Sequence, residues 1–192
     1  MCKILSFDIG LKNLSYCYIN VTPLKIELLD WQNISVTDEN CKKIKLDEIT
    51  FCLLQTLNER FTDDYEADIV LIENQPALKN GMIKTVSVII YTYFNMLKLQ
   101  YGNIANVQFI NASNKLKCNK MKNLIDAQKN TYKDRKKTSI ELARLYVIDL
   151  FPEKLEWFNT FKKKDDLSDV LNQAIYYIET VLKYSLDNKK DI

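Results

Sequence analysis

No histidine occurs anywhere in the 192 residues, and the chain carries only three glycines, three prolines and five cysteines. The missing histidine removes imidazole general bases, histidine-containing triads and histidine-ligated metals. Hydrolytic chemistry would then have to rest on carboxylates, on lysine or on a metal held by oxygen. So few glycines and prolines leave little room for flexible linkers, and no repeat or low-complexity tract is visible. Cys2, Cys17, Cys41, Cys52 and Cys118 are odd in number and contain no CxxC pair. That usage suits reduced thiols in an intracellular protein better than a disulfide framework or a zinc site. Long apolar runs are missing too. The most apolar region, Met82 to Leu99, contains Lys84, Asn95 and Lys98 and is too polar to span a bilayer. At the N-terminus Asp8 falls where a signal peptide needs its apolar stretch.

What is present is ordinary globular material, 47% hydrophobic and 27% charged, of a length that suits one domain over residues 1–192. A net charge of +2 excludes a generic polyanion binder, yet the charge is unevenly placed. Nine basic residues against two acids lie between Ala112 and Ile140, whereas five acids and one arginine lie between Glu59 and Asp68. The first region is a candidate phosphate-binding footprint, with a solvated helical surface as the plainer alternative.

Hydrophobic periodicity orders the elements. Lys3–Gly10, Ser15–Val21 and Lys25–Trp31 read as three strands of an antiparallel meander. Leu46–Phe61 places Ile49, Leu53, Leu57 and Phe61 at helical spacing. Ile69–Glu73 reads as a buried strand stopped by Asn74-Gln75-Pro76, Gly81–Leu99 as a long helix and Asn106–Ile110 as a further strand. Helices over about Asp134–Phe151 and Leu167–Tyr184 close the chain. The order predicts an α/β architecture, a mixed sheet with helices on both faces.

Two carboxylates sit where apolar residues belong. Alternation in β-structure puts Leu5, Phe7 and Ile9 on one face and Ile4, Ser6 and Asp8 on the other. Glu73 ends the apolar run Ile69-Val70-Leu71-Ile72 in the same way. A carboxylate at the end of a buried strand is costly unless something neutralises it, or unless it simply emerges into water. Asp166 and Asp169, three apart on a helix, share a face and repel each other unless a cation lies between them. Either Asp165 or Asp166 is also placed to cap that helix, a role that leaves Asp169 unexplained. Oxygen ligands without histidine or cysteine point to Mg²⁺ or Mn²⁺, and a pair of such ions about 4 Å apart can hydrolyse a phosphodiester.

Four stretches in this order resemble the RuvC-type Holliday junction resolvases of the RNase H-like superfamily, most closely the branch of poxviruses and other large DNA viruses. They are Ser6-Phe7-Asp8-Ile9-Gly10-Leu11-Lys12-Asn13, Leu71-Ile72-Glu73-Asn74-Gln75-Pro76, Tyr132-Lys133-Asp134-Arg135-Lys136-Lys137-Thr138-Ser139 and Lys163-Lys164-Asp165-Asp166-Leu167-Ser168-Asp169. The resemblance implies a five-stranded RNase H-like sheet, with Asp8, Glu73, Asp166 and Asp169 as ligands of two Mg²⁺ ions that Mn²⁺ can replace. It implies phosphate contacts from Lys12, Gln75, Lys133, Arg135, Lys136 and Lys137. It further implies a homodimer, built on the helix Gly81–Leu99, that cuts four-way DNA symmetrically; for a viral chain, this would be where the host cell replicates viral DNA. That helix carries Ile83, Val86, Ile90, Tyr93 and Leu97 along one stripe, with Met82, Ile89 and Met96 widening the apolar surface; burial within its own domain is the alternative.

Just before the paired acids, Trp157 and Phe161 interleave with Lys162, Lys163 and Lys164, either to stack on unpaired bases or, the simpler reading, to pack a loop. Three functional alternatives remain: another RNase H-like nuclease acting on branched DNA, an ATPase-like phosphotransferase using the DxGxxN turn, and a branched-DNA-binding protein that does not cut. The phosphotransferase needs a second glycine-rich phosphate loop, which three glycines do not provide. The non-cutting protein would be expected to lack at least one of the four acids, and all are present.

Overall fold

The computed structural model describes residues 1–10, 13–37, 45–62, 65–75, 80–124 and 132–184. The chain divides into two compact units, Met1–Ala112 and Ser113–Ile192.

The first unit is a mixed five-stranded sheet with two helices. Strands β1 (Cys2–Ile9), β2 (Asn13–Val21) and β3 (Ile26–Ser35) form the expected meander, followed by α1 (Leu46–Arg60), β4 (Ala67–Asn74), α2 (Gly81–Tyr101) and β5 (Ile104–Asn111). The sheet order is β3-β2-β1-β4-β5; β1 pairs in parallel with β4, and β4 in parallel with β5. Strand β3 runs to Ser35, past its expected end at Trp31, because its ladder with β2 continues to Asn13 opposite Ser35. The polar Gln32 and Asn33 hide that continuation from an apolar pattern. Asn80 starts α2 by accepting from the Met82 and Ile83 backbone N–H groups, and Gly102 ends it at a φ of 70°, a conformation that favours glycine.

Leu5, Phe7 and Ile9 meet Ile49, Leu53 and Leu57 of α1 and Val86, Ile90 and Phe94 of α2 in one buried cluster. The rings of Phe7 and Phe94 lie 5.3 Å apart, and Phe61 closes the group edge-on at 5.5 Å from Phe94. Alternation in β1 therefore sorts the sheet into an apolar face covered by α1 and α2 and a face that carries Asp8. Of the three residues expected to widen the surface of α2, Met82 and Ile89 pack against this core, while Met96 is exposed.

The second unit begins at Ser113, within a 3-10 turn (Ala112–Leu116); a further such turn at Asn119–Asn123 is followed by α3 (Tyr132–Leu150), α4 (Leu155–Thr160) and α5 (Lys164–Thr180). Helix α3 packs along α5, burying Leu142, Ala143 and Val147 on one and Val170, Leu171 and Ala174 on the other. Helix α5 starts three residues before the apolar pattern does. The acids of its first turn, Asp165 and Asp166, favour a helix N-terminus without contributing to a buried stripe. The short α4 carries Trp157, whose ring meets Phe161 edge-on at 4.5 Å, while Phe158 is fully buried.

Among the described residues no helix is long and apolar enough to cross a membrane, and Cys2, Cys17, Cys52 and Cys118 are free thiols. Phe94 has no exposed surface and touches the rings of Phe7, Phe61 and Tyr93, so Phe94→Ala should lower unfolding free energy by about 3–5 kcal/mol. Urea denaturation would measure this as a lowered midpoint at an unchanged slope; a loss well under that range would mean the cavity collapses.

Candidate active site

The antiparallel turn after β1 sets the first acid. The Gly10 N–H donates to the Asn13 carbonyl at 2.9 Å, and a Cβ on Gly10 would stand 2.9 Å from that same oxygen. Glycine is what lets the chain fold back two residues after Asp8. On the other side of β1, the parallel register runs from Ile4 opposite Ile69 to Phe7 opposite Ile72. Asp8 and Glu73 each follow the last paired residues, Phe7 and Ile72, by one position at the same end of the two strands.

In-register side chains share a face. Ser15 stands opposite Asp8 and Asn33 opposite Ser15, so Asn33, Ser15 and Asp8 form a polar row across three strands, with Glu73 one position past the β1–β4 ladder. The row lies on the face that α1 and α2 leave uncovered. Glu73 is 6% exposed, so it does not emerge into water as an ordinary strand-end acid would. The Gln75 side-chain amide donates to Glu73 Oε2 at 2.8 Å, which orients the carboxylate and occupies an amide expected to contact phosphate. Ser15 Oγ and Asn33 Oδ1 are buried without a hydrogen-bond partner among the described residues. Two neighbouring carboxylates and two unsatisfied oxygens form a donor set suited to a hard cation and its waters.

The second unit holds the other two acids on α5. Asp166 and Asp169 lie three apart in its first two turns, as the sequence implied. Neither Asp165 nor Asp166 is the cap: the N-cap position is Lys163, and no side chain caps the helix end. Asp165 instead accepts a hydrogen bond from Lys136 of α3. Asp169 is held at both oxygens, by Lys115 Nζ at 3.0 Å on Oδ2 and by Ser139 Oγ at 2.5 Å on Oδ1. Lys115 itself is only 5% exposed, and a lysine that deep needs a carboxylate partner.

Lys115, Ser139 and Asn172, which donates to Ser139, were not singled out as site residues from the sequence. The available signals were faint. Lys115 is one of nine basic residues in its stretch, Ser139 ends the basic motif, and Asn172 lies one helical turn beyond Asp169. Among the expected phosphate contacts, Arg135, Lys136 and Lys137 are exposed on the first turns of α3. Lys12 and the side chain of Lys133 lie outside the described residues.

Burial pushes the Cys17 and Cys118 thiols well above their ordinary range, so neither offers a thiolate to a metal. Among the described residues no three histidine, cysteine or carboxylate side chains converge as a metal site. The structure thus presents the acids as Asp8 with Glu73 in one unit and Asp166 with Asp169 in the other.

Comparison with known proteins agrees with this architecture. An uncharacterised protein of Acanthamoeba polyphaga mimivirus is 35% identical over 122 residues, 59% of this chain; the match spans 29% of that protein's length. Among solved structures, the fowlpox virus resolvase in complex with Holliday junction DNA has a TM-score of 0.65 at 21% identity, covering 94% of this chain and 99% of its own. The yeast mitochondrial Holliday junction resolvase has a TM-score of 0.59 at 18% identity, covering 91% and 78%. T. thermophilus RuvC, solved with a Holliday junction substrate, has a TM-score of 0.54 at 13% identity, covering 95% and 96%. The five-stranded sheet is therefore the RNase H-like fold of the resolvases. Residues 2–183 match the family described as Poxvirus A22 protein, and the chain belongs to that family.

Proposed function

We propose that this chain is a structure-selective endonuclease that resolves four-way DNA junctions by metal-dependent phosphodiester hydrolysis. The observation that carries this reading is the buried Glu73 at the end of β4, with Asp8 at the matching end of the parallel β1, in a chain without histidine. A buried Glu73 carboxylate, with the half-buried Asp8 at the same end of the neighbouring strand, needs positive charge close by. Asp8, Glu73, Asp166 and Asp169 are the assigned ligands, with Mg²⁺ as the ion, two per site, and Mn²⁺ as its substitute. The chemistry such ions supply is activation of a water and stabilisation of charge at a phosphodiester. The chain's own groups orient the carboxylates: Gln75 holds Glu73, and Lys115 and Ser139 hold Asp169. The fowlpox and T. thermophilus proteins solved with Holliday junctions support the choice of substrate.

The active form is a homodimer joined through α2. Val88, Met96 and Leu99 are exposed apolar residues along one stripe of that helix, away from the stripe buried in the core. The four free thiols suit a reducing compartment, and for a viral chain the site of viral DNA replication in the host cell is such a place.

Three measurements test this reading. A synthetic four-way junction, incubated beside a linear duplex of matched sequence, should be nicked symmetrically with Mg²⁺ or Mn²⁺ and not with chelator. Asp8→Asn should cut at least roughly 10²–10³-fold more slowly, the scale of losing one electrostatic catalytic group, while binding the junction as well or better. Loss of binding together with cutting would make Asp8 structural, and equal cutting of the duplex would discard junction selectivity. The second measurement is salt dependence. Arg135→Ala with Lys137→Ala should flatten the log–log salt slope of binding by about one unit per lost phosphate contact, and an unchanged slope would mark both as solvated bystanders. Lys136 is the poorer probe because Asp165 already engages it. Third, Met96→Lys with Leu99→Asp should shift sedimentation from dimer to monomer; a wild type that sediments as a monomer would remove the dimer from the proposal.

A further inference from the structure

The interface of α3 and α5 holds a polar chain whose hydrogen positions follow from its acceptors. Asn172 is fully buried, and its side-chain Nδ2 lies 2.9 Å from the Ser139 carbonyl oxygen and 3.0 Å from Ser139 Oγ. A carbonyl oxygen can only accept, so the amide must present its NH₂ group there and cannot be turned over. Ser139 Oγ therefore accepts from Asn172, and its single proton is left to point elsewhere. The oxygen 2.5 Å away is Asp169 Oδ1. The direction Asn172 to Ser139 to Asp169 is thus fixed by chemistry at each link.

The arrangement is not simply the one that satisfies the most polar atoms. Asn172 Oδ1 is buried with no partner among the described residues, although apolar side chains pack around the same helix interface. A buried amide that leaves its own oxygen unsatisfied while holding a hydroxyl in one orientation is a feature that needs a reason beyond packing. Lys115 takes the other oxygen of Asp169, so the carboxylate plane is pinned from both sides. Hydrogen bonds to a ligating carboxylate orient it toward its ion.

We propose that Ser139, oriented by Asn172, is a positioning residue that fixes the Asp169 carboxylate for a divalent cation. This rests on the reading of Asp169 as a metal ligand given above. Ser139 touches neither ion nor DNA; it acts by removing the rotational freedom of Asp169.

The test reads Mn²⁺ binding to the DNA-free protein by the electron paramagnetic resonance of unbound ion, alongside thermal unfolding. Ser139→Ala should weaken Mn²⁺ binding by roughly 10–100-fold, the usual effect of losing a partner of a metal ligand. Asn172→Ala keeps the hydroxyl but frees it to rotate, and should weaken binding by a smaller factor. Ser139→Thr should restore binding, because it returns the donor. Ser168→Ala is the control, since that buried serine donates only to the Lys164 carbonyl in its own helix; it should lower the melting temperature and leave Mn²⁺ binding unchanged. If Ser139→Ala and Asn172→Ala fold and bind Mn²⁺ like wild type, or if the wild type binds none, the inference is overturned. A wild type that binds Mn²⁺ and weakens on Ser139→Ala, yet cuts no junction, would sink the nuclease reading and leave this one standing.

Discussion

Parallel pairing of β1 with β4 sets the geometry on which the first unit's chemistry depends. The two strands come from segments more than sixty residues apart, yet they run in register from Ile4 opposite Ile69 to Phe7 opposite Ile72. A slip of one residue would turn every side chain of one strand to the other face, placing either Phe7 or Asp8 against the wrong environment. Leu5, Phe7 and Ile9 resist that slip because they are buried against α1 and α2. Burial of such side chains contributes about 1.5–3 kcal/mol each, enough together to hold two carboxylates side by side. The hydrophobic face thus maintains the charged one.

The second unit solves a related problem with hydrogen bonds in place of sheet register. Asp169 is a third exposed, while its partner Lys115 is almost wholly buried. For the lysine the pair is close to obligatory, since an unpaired buried ammonium is strongly destabilising. For the aspartate, water screens part of the attraction, and the net stabilisation is correspondingly smaller. The pair is better understood as a constraint on direction than as a source of stability. The unsatisfied Asn172 oxygen points the same way, since such a group costs about 1–3 kcal/mol.

Composition narrows the chemistry before any geometry is known. A chain without histidine, whose buried Cys17 and Cys118 thiols are pushed away from ionisation, turns to oxygen for binding a metal. Each feature of the acids then has a physical counterpart: Gly10 allows the turn that follows Asp8, Gln75 orients Glu73, and Lys136 occupies the one neighbouring acid, Asp165, that was not assigned to the ions.

Much of this could be read along the chain, because it depends on local periodicity. Alternation in Ile4-Leu5-Ser6-Phe7-Asp8 separated the two faces of β1, and acids interrupting apolar runs at Asp8 and Glu73 marked themselves. Helical spacing located α1 and α2, and the four motif stretches identified the family. Other features had no local signature. Strand β3 continued through polar residues because a neighbouring strand offered partners, and α5 began early because acids favour a helix start. The burial of Lys115 and the roles of Ser139 and Asn172 depend on partners 30, 33 or 54 residues away. Which faces are apolar and which residue types can do the chemistry were legible in the chain, since both follow from side-chain identity and backbone period. Which carboxylate meets which donor emerged with the packed fold, because a hydrogen bond requires atoms within about 3 Å, and no pattern along the chain encodes that distance.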